Sequence, residues 1–462
     1  MTESSKKTLN WKLIIAIMLA IAIASGGITF YLKYQSRSKP FTIDPEVMIN
    51  PDKEYHVSYW DYDLLIGHDE DYKQFLQESI EQFNKKFHNI KVTYQLLPFS
   101  TGEEKLRESL SLGTPPDIYD DIFSSKLISK ELQIPVNLLF EEGDRDKYRG
   151  ISALVYNNKI WGLPNWLIPQ TWVANQKMLN ASGVDLIKIK SQGWSWDEFL
   201  QSAIKVKDSH DDAYIVFNPY NSEIFYQLLT TMEDDNLLSA DGSSLNRQTL
   251  MTIFIFLDKL RKERIFPRKI NKMNKRLIAG LWEGDAGIIA PINIFLLNNL
   301  LKRDHKERYV DISLLPIPSN SSNHKVPIKV TSLLLFRQQE YQGDDHSKAV
   351  YQFAKFINQE KNLYLAQKLK AIPAYLPLQR SWQDSVKLSS NLKKEMLSYV
   401  DRGVYRSITS NYDLKEGLNK IIDKHYQEFW LKTISPEQVV DDIINENINY
   451  LNQGKQQKVE EN

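Results

Sequence analysis

At 462 residues the chain is too long for one ordinary hydrophobic core, and with 42% hydrophobic and 25% charged residues it has the balance of a folded globular protein rather than a disordered one. Lys plus Arg equals Asp plus Glu at 58 each, and a neutral chain offers no electrostatic footprint for nucleic acid. Cysteine is absent, which excludes disulfides, thiolate metal sites, cysteine nucleophiles and lipid attachment through an N-terminal cysteine.

Residues 1–12 contain Lys6, Lys7 and Lys12 and read as a cytoplasmic N-terminus. Leu13 to Leu32 then runs LIIAIMLAIAIASGGITFYL without a charge. Twenty helical residues rise about 30 Å, the hydrocarbon thickness of a bilayer, so the run predicts one transmembrane helix over 13–33. Tyr31 and Tyr34 lie at its far end, where interfacial aromatics belong. A cleaved secretion signal competes with the anchor, since Ala22-Ile23-Ala24 resembles a small-x-small cleavage site. The apolar run continues past that point, which favours an anchor. Both readings place everything beyond about residue 40 outside the cytoplasm, tethered to the cell membrane by a single pass or secreted if cleaved. Residues 34–53 read as a linker, with three prolines and no periodicity.

Alternation and β-forming residues predict strands at Tyr55–Trp60, Asn89–Leu97 and Pro116–Phe123. Between them, apolar residues at helical spacing predict helices over Tyr72–Phe87 and Glu103–Leu112, the second stopped by Gly113. Strand and helix alternating in this way give βαβ units and a mainly parallel sheet, whose ligands sit at the carboxyl ends of the strands. The middle of the chain is helical, over Ser195–Val206, Ser222–Asp234, Arg247–Glu263 and Asn274–Trp282. Short strands return at Asp285–Pro291, Val310–Leu315 and Val330–Phe336. The chain closes with helices over His346–Lys370, Leu388–Val400, Leu414–Leu431 and Pro436–Asn452, followed by a polar tail, 453–462. Strands on both sides of a helical middle imply that the backbone passes between two lobes more than once.

Several stretches, in order, resemble the extracellular solute-binding proteins of ABC importers, in the carbohydrate-binding group that includes maltose-binding protein. These are PDIYDD at Pro116–Asp121, NNKIWGLPNW at Asn157–Trp166, Ala174-Asn175-Gln176, Trp194–Phe199, Gly284–Ile288, Leu315–Pro318 and Ser435–Gln438. The resemblance covers about residues 54–452. It implies an α/β, two-lobed periplasmic-binding-protein fold, type II-like, with the ligand cleft between the lobes. The expected division is lobe 1 over about 54–165 and 285–345, and lobe 2 over about 166–284 and 346–452. It also implies a function: capture of a small polar ligand, a mono- or oligosaccharide, for ABC permease subunits. The alternative is a ligand-sensing accessory that presents its bound state to a membrane receptor or sensor kinase. Where sugar-binding members carry Gly-Gly pairs, this chain has Glu233-Asp234-Asp235 and Lys329-Val330-Thr331, a departure that bears on ligand type.

Sugar sites pair aromatic planes with carboxylates and amides. Strand ends and family-like positions single out Trp60, Asp61, Asp63, Asp121, Phe123, Trp166, Tyr226, Trp282 and Tyr375 as candidate ligand contacts. Most other aromatics belong to the core. The eight histidines show no metal spacing, and no HExxH, GxSxG or phosphate-cradling glycine loop occurs. Asp120 and Asp121, adjacent on a strand, point to opposite faces and do not form a glycosidase pair. The chain therefore reads as a binding protein and not an enzyme, with no cofactor and no metal.

Overall fold

The computed structural model describes residues 42–63, 69–125, 127–128, 132–210, 214–217, 222–234, 236–238, 244–265, 280–281, 283–292, 294, 297–298, 300, 311–321, 324, 326–406 and 412–460. The membrane segment expected over 13–33 and Trp282 lie outside them, as does most of the helix expected over Asn274–Trp282. Among the described residues no helix is long and apolar enough to cross a membrane. The chain divides into two compact units, Met1–Val47 and Met48–Asn462. In the first, the described part holds a turn closed by Val47 N–H on the Asp44 carbonyl.

The second unit begins β1 (Tyr55–Tyr62), α1 (Asp69–Lys86), β2 (Ile90–Leu97), α2 (Gly102–Ser111), β3 (Ile118–Asp121), close to the predicted elements. In β1, Tyr55, Val57, Tyr59 and Asp61 are buried, while His56, Ser58 and Trp60 between them are more open, the period of two that a strand imposes. α1 turns Tyr72, Leu76, Ile80 and Phe83 inward at helical spacing. β1 runs parallel to both β2 and β3, so all three strands end on one side of the sheet. β4 (Gln133–Ile134), the hairpin β5 (Val155–Tyr156) and β6 (Lys159–Ile160), and β7 (Leu163–Pro169) follow.

Gln170 carries the chain across to the second lobe. There lie β8 (Thr171–Asn175), α3 (Gln176–Ala181), α4 (Leu186–Gln192), α5 (Trp196–Ser209), β9 (Tyr214–Phe217), α6 (Glu223–Thr230), α7 (Arg247–Lys262), β10 (Ala286–Ala290) and β11 (Ile312–Pro316). The chain then returns to the first sheet with β12 (Val326–Phe336), α8 (Asp344–Leu369), β13 (Ile372–Pro373), α9 (Leu376–Ser385), α10 (Ser390–Asp401) and β14 (Gly403–Val404). α11 (Tyr412–Lys432) and α12 (Pro436–Glu460) pack into the second core, through Ile422, Phe429, Val440 and Ile443. α12 continues past Asn452, where a polar tail was expected.

The first sheet has the order β13-β7-β12-β3-β1-β2, with β4 and β14 also on β12; the second has the order β11-β8-β10-β9. The expected multiple passage between lobes is present, but its points differ. Ala286–Ala290 and Ile312–Pro316, expected in lobe 1, pair with β8 in the second sheet. α8, expected in lobe 2, packs against β1, β7 and β12 of the first. A five-residue apolar strand carries no local mark of which sheet it joins, because that choice is made by packing partners far away in sequence.

Most tryptophans are structural, as expected. In the second core Trp196 stacks on Phe256 with centroids 4.4 Å apart, and Trp172 and Trp194 both meet Phe199 edge-on. Their indole N–H groups donate to Gln227, Pro316 and Pro318. A capping box starts α5: Ser195 Oγ accepts from Glu198 N–H, and the Glu198 carboxylate accepts from Ser195 N–H. Ser195→Ala is expected to cost about 1 kcal/mol of stability, measured as a lowered denaturant midpoint without loss of solute binding.

Candidate functional site

Because β1, β2 and β3 end on the same side, the segments that follow them meet. Tyr62 at the end of β1 lies 5.6 Å from the Phe99 ring after β2 and 5.4 Å from the Phe123 ring after β3. The Phe99 and Phe123 centroids are 6.2 Å apart and edge-on. Tyr62 is fully buried beneath them and shares a 2.7 Å hydroxyl–hydroxyl hydrogen bond with Tyr119 of β3. Phe99 and Phe123 are only half-buried, so each keeps a partly open surface. Gly102, the first residue of α2, permits this closeness: a Cβ there would lie 2.4 Å from the Tyr62 ring.

Two carboxylates lie near the rings. Glu103 is half-buried and Asp121 buried, and both charges are felt by the Tyr62 phenol, which burial pushes above its usual range. One Asp121 oxygen accepts from both the N–H and the Oγ of Ser125, closing the turn that carries Phe123. Aromatic edges with acceptors around them suit a ligand that offers hydroxyls about an apolar ring.

The opposite face of the same strands holds a buried ionic cluster. Lys361 of α8, with no exposed surface, donates to Tyr59 Oη at 2.7 Å, to Asp61 Oδ2 at 3.1 Å and to Asp120 Oδ2. Asp61 also accepts from the Tyr59 and Tyr72 hydroxyls and from Tyr62 N–H. Asp120 accepts from Asn165 Nδ2 at 2.8 Å, and Asn165 in turn accepts from Asn358. Burial drives the Asp61 carboxyl up, but Lys361 and the two phenols outweigh it and leave it below its usual value. For Asp120 burial wins, assisted by the Asp61 charge and opposed by Lys361, and its carboxyl is pushed up to about 8. The predicted opposite facing of Asp120 and Asp121 is thus observed.

The nine candidates fall into separate places. Phe123 stands at the meeting of the three loops, with Asp121 bracing the third, while Asp63, half-buried just past β1, is felt by the Tyr72 phenol of the opposite face. Asp61 is turned into the ionic cluster, with no exposed surface left for a ligand. Trp60 sits on the other face of β1, half-buried, with the Lys105 ammonium 4.8 Å over its ring. Trp166 of β7 is 1% exposed, inside the first lobe, 5.9 Å from the Lys361 ammonium. Tyr226 of α6 packs on the second core and donates its hydroxyl to Asn419. Tyr375, just before α9, lies against Tyr148 with ring centroids 5.1 Å apart. Trp282 is outside the described residues. Sequence reasoning passed over Phe99 and Glu103, although the rule that found the other two loops, the shared carboxyl end of parallel strands, applies to theirs equally.

A sequence profile described as "Bacterial extracellular solute-binding protein" matches residues 68–362, more than half of the chain. No curated protein matches the sequence. Solved structures do match in fold. An ABC substrate-binding protein of Listeria monocytogenes in complex with cycloalternan has 12% identity and a TM-score of 0.65, covering 87% of this chain and 100% of its own. The maltose/maltodextrin-binding domain of Bdellovibrio bacteriovorus bound to maltotriose has 16% identity and a TM-score of 0.62, covering 86% and 100%. The cyclic alpha-maltosyl-1,6-maltose binding protein of Arthrobacter globiformis has 12% identity and a TM-score of 0.64, covering 86% and 98%.

Proposed function

The chain belongs to the bacterial extracellular solute-binding proteins, and from that premise we propose that it captures a carbohydrate in the cleft between its lobes for delivery to an ABC permease. The observation that carries this reading is the convergence of three loops of parallel strands on Phe99 and Phe123, with Glu103 and Asp121 close by. Rings of this kind cover the apolar face of a sugar, and the carboxylates accept its hydroxyl protons. The oligosaccharides held by proteins of similar fold from Listeria, Bdellovibrio and Arthrobacter support the same ligand class. The uncharged run Leu13–Leu32 supports a peptide tether that keeps the folded part at the outer face of the cell membrane.

Closure of two lobes around solute would shift a pre-existing open–closed equilibrium, and a membrane partner would read the closed form. Calorimetry of the full-length protein against mono- and oligosaccharides tests the ligand class: micromolar or tighter binding of at least one is expected, and no binding across the panel defeats the carbohydrate reading. Phe123→Ala is expected to weaken that binding about tenfold or more, the worth of a well-placed aromatic contact. Its melting temperature should stay close to the parent value, since the ring is half-open.

A further inference from the structure

We infer that Lys361, Asp61 and Asp120 are positioning residues for the solute-binding loops, acting through the sheet from its opposite face. The inference rests on the reading that these loops take the solute. Asp61 is two residues from Asp63, and its carboxylate holds the N–H of Tyr62, the floor of the aromatic cluster. Asp120 directly precedes Asp121, which closes the turn bearing Phe123. Lys361 grips both carboxylates at once from α8, fixing the end of β1 against the end of β3 at the point where the two strands give way to loops. β1 and β3 pair at Tyr59–Ile118 and Trp60–Tyr119, so the described pairing between these two strands stops one residue short of Asp61 and Asp120, while β1 stays paired with β2 through Tyr62 and β3 with β12 through Asp121. Beyond that point the ends of β1 and β3 are joined to each other by side-chain bonds, those of Lys361 and of the Tyr62–Tyr119 hydroxyl pair.

The cluster has one cation for two carboxylates, and burial disfavours the second negative charge. The groups facing Asp120 are Asp61 and Tyr59 of β1, Tyr72 of α1, Lys361 of α8 and Asn165 of β7. Tyr59 and Tyr72 are held well above the usual phenol range, chiefly by burial, and stay protonated. Asp120 is therefore the group that changes charge near neutral pH. Its carboxyl is raised in the folded chain, so its contribution to stability is full below the unfolded carboxyl value of about 4 and is lost as pH rises towards 8. Asp61, being lowered, acts in the opposite sense and only at acid pH.

Two variants of the full-length protein separate positioning from mere support. Asp120→Asn leaves one cation facing one carboxylate and should fold. Asp61→Asn with Asp120→Asn and Lys361→Met removes all three charges together. Amide hydrogen exchange is read at Tyr62–Asp63 and Asp121–Ser125, with α5 and α7 as internal references, and maltotriose is the probe solute. In the triple variant, exchange at the two loop segments is expected to quicken at least tenfold while the reference helices keep their rates. In Asp120→Asn, the parent's fall in melting temperature between pH 6 and pH 9 should flatten, together with any pH dependence of loop protection beyond the intrinsic exchange rate. Unchanged loop exchange in the triple variant, or loss spread evenly over both lobes, would overturn the inference, as would a parent-like pH profile in Asp120→Asn. If the parent binds no maltotriose while the exchange results hold, positioning stands and the ligand assignment is what falls.

Discussion

Replacing Lys361 with methionine is expected to remove about 3–5 kcal/mol of folding stability, measured as a lower denaturant midpoint at constant slope near pH 7. Methionine fills similar space, so a cavity is not the cause. The loss follows from leaving the Asp61 carboxylate, without exposed surface, beside a largely protonated Asp120 and without its cation. The remaining partners, two phenols, an asparagine amide and a backbone N–H, satisfy lone pairs but supply no charge. Burying a carboxylate without a counter-charge is among the costliest changes a fold can suffer, whereas removing a buried ion pair whole is often near neutral. Losing Lys361 alone should therefore cost much more than losing the three charges together. A loss below about 1 kcal/mol for Lys361→Met would mean that water reaches the cluster and screens it.

Trp166→Ala carries the second large effect, about 3–5 kcal/mol of stability. The sequence offered Trp166 as a ligand contact because it follows Gly162-Leu163-Pro164. In the structure the indole is closed into the first lobe, its backbone N–H donates to Thr331 Oγ1, and β13 covers its strand. Truncation would empty a volume that rigid strands on either side cannot refill. A contrasting substitution sharpens the test. Among the described residues the buried indole N–H finds no partner, so Trp166→Phe gives up ring volume but also discards that donor, and should cost clearly less than alanine. Equilibrium unfolding of both variants checks this ordering. An alanine variant with parent stability and lost solute affinity would return Trp166 to the binding site.

The fold was legible because its signals are local. Alternation in Tyr55–Trp60, the helical spacing of Phe75, Ile80 and Phe83, and the Ser195–Glu198 box each declare an element within a few residues. The site was legible only in part. Position at a strand end pointed to Asp121 and Phe123 of the proposed site, yet it could not say which way each side chain turns, and a register step of one residue sends Asp61 to the ionic cluster and Tyr62 to the aromatic one. Trp166 was drawn in by its place after Gly162-Leu163-Pro164, but an indole there fills the core as readily as it stacks on a sugar. Lys361 had a signal that went unread: Val350, Ala354, Ile357, Lys361 and Leu365 fall on one helical face, and a lysine in an apolar stripe needs buried acids. β11 pairs with β8 more than a hundred residues earlier, and β10 and α8 take part of their packing from β8 and from β1 and β7 at similar or greater distances, so their lobe leaves no local trace.

The repeated passage of the backbone between lobes also constrains how the chain can reach this state. The second core joins Trp172 to Ile443, so its first strand waits for helices made some 250 residues later. Contacts this distant in sequence make closure slow and keep apolar strands uncovered meanwhile. While the ribosome is still at work, β8 and β10 have sheet partners, but α7 of the same core lacks α12, which packs against it. A chain built in this order stays unfinished until its last helix emerges, the condition in which a polypeptide can still be threaded through a narrow channel before it folds on the far side.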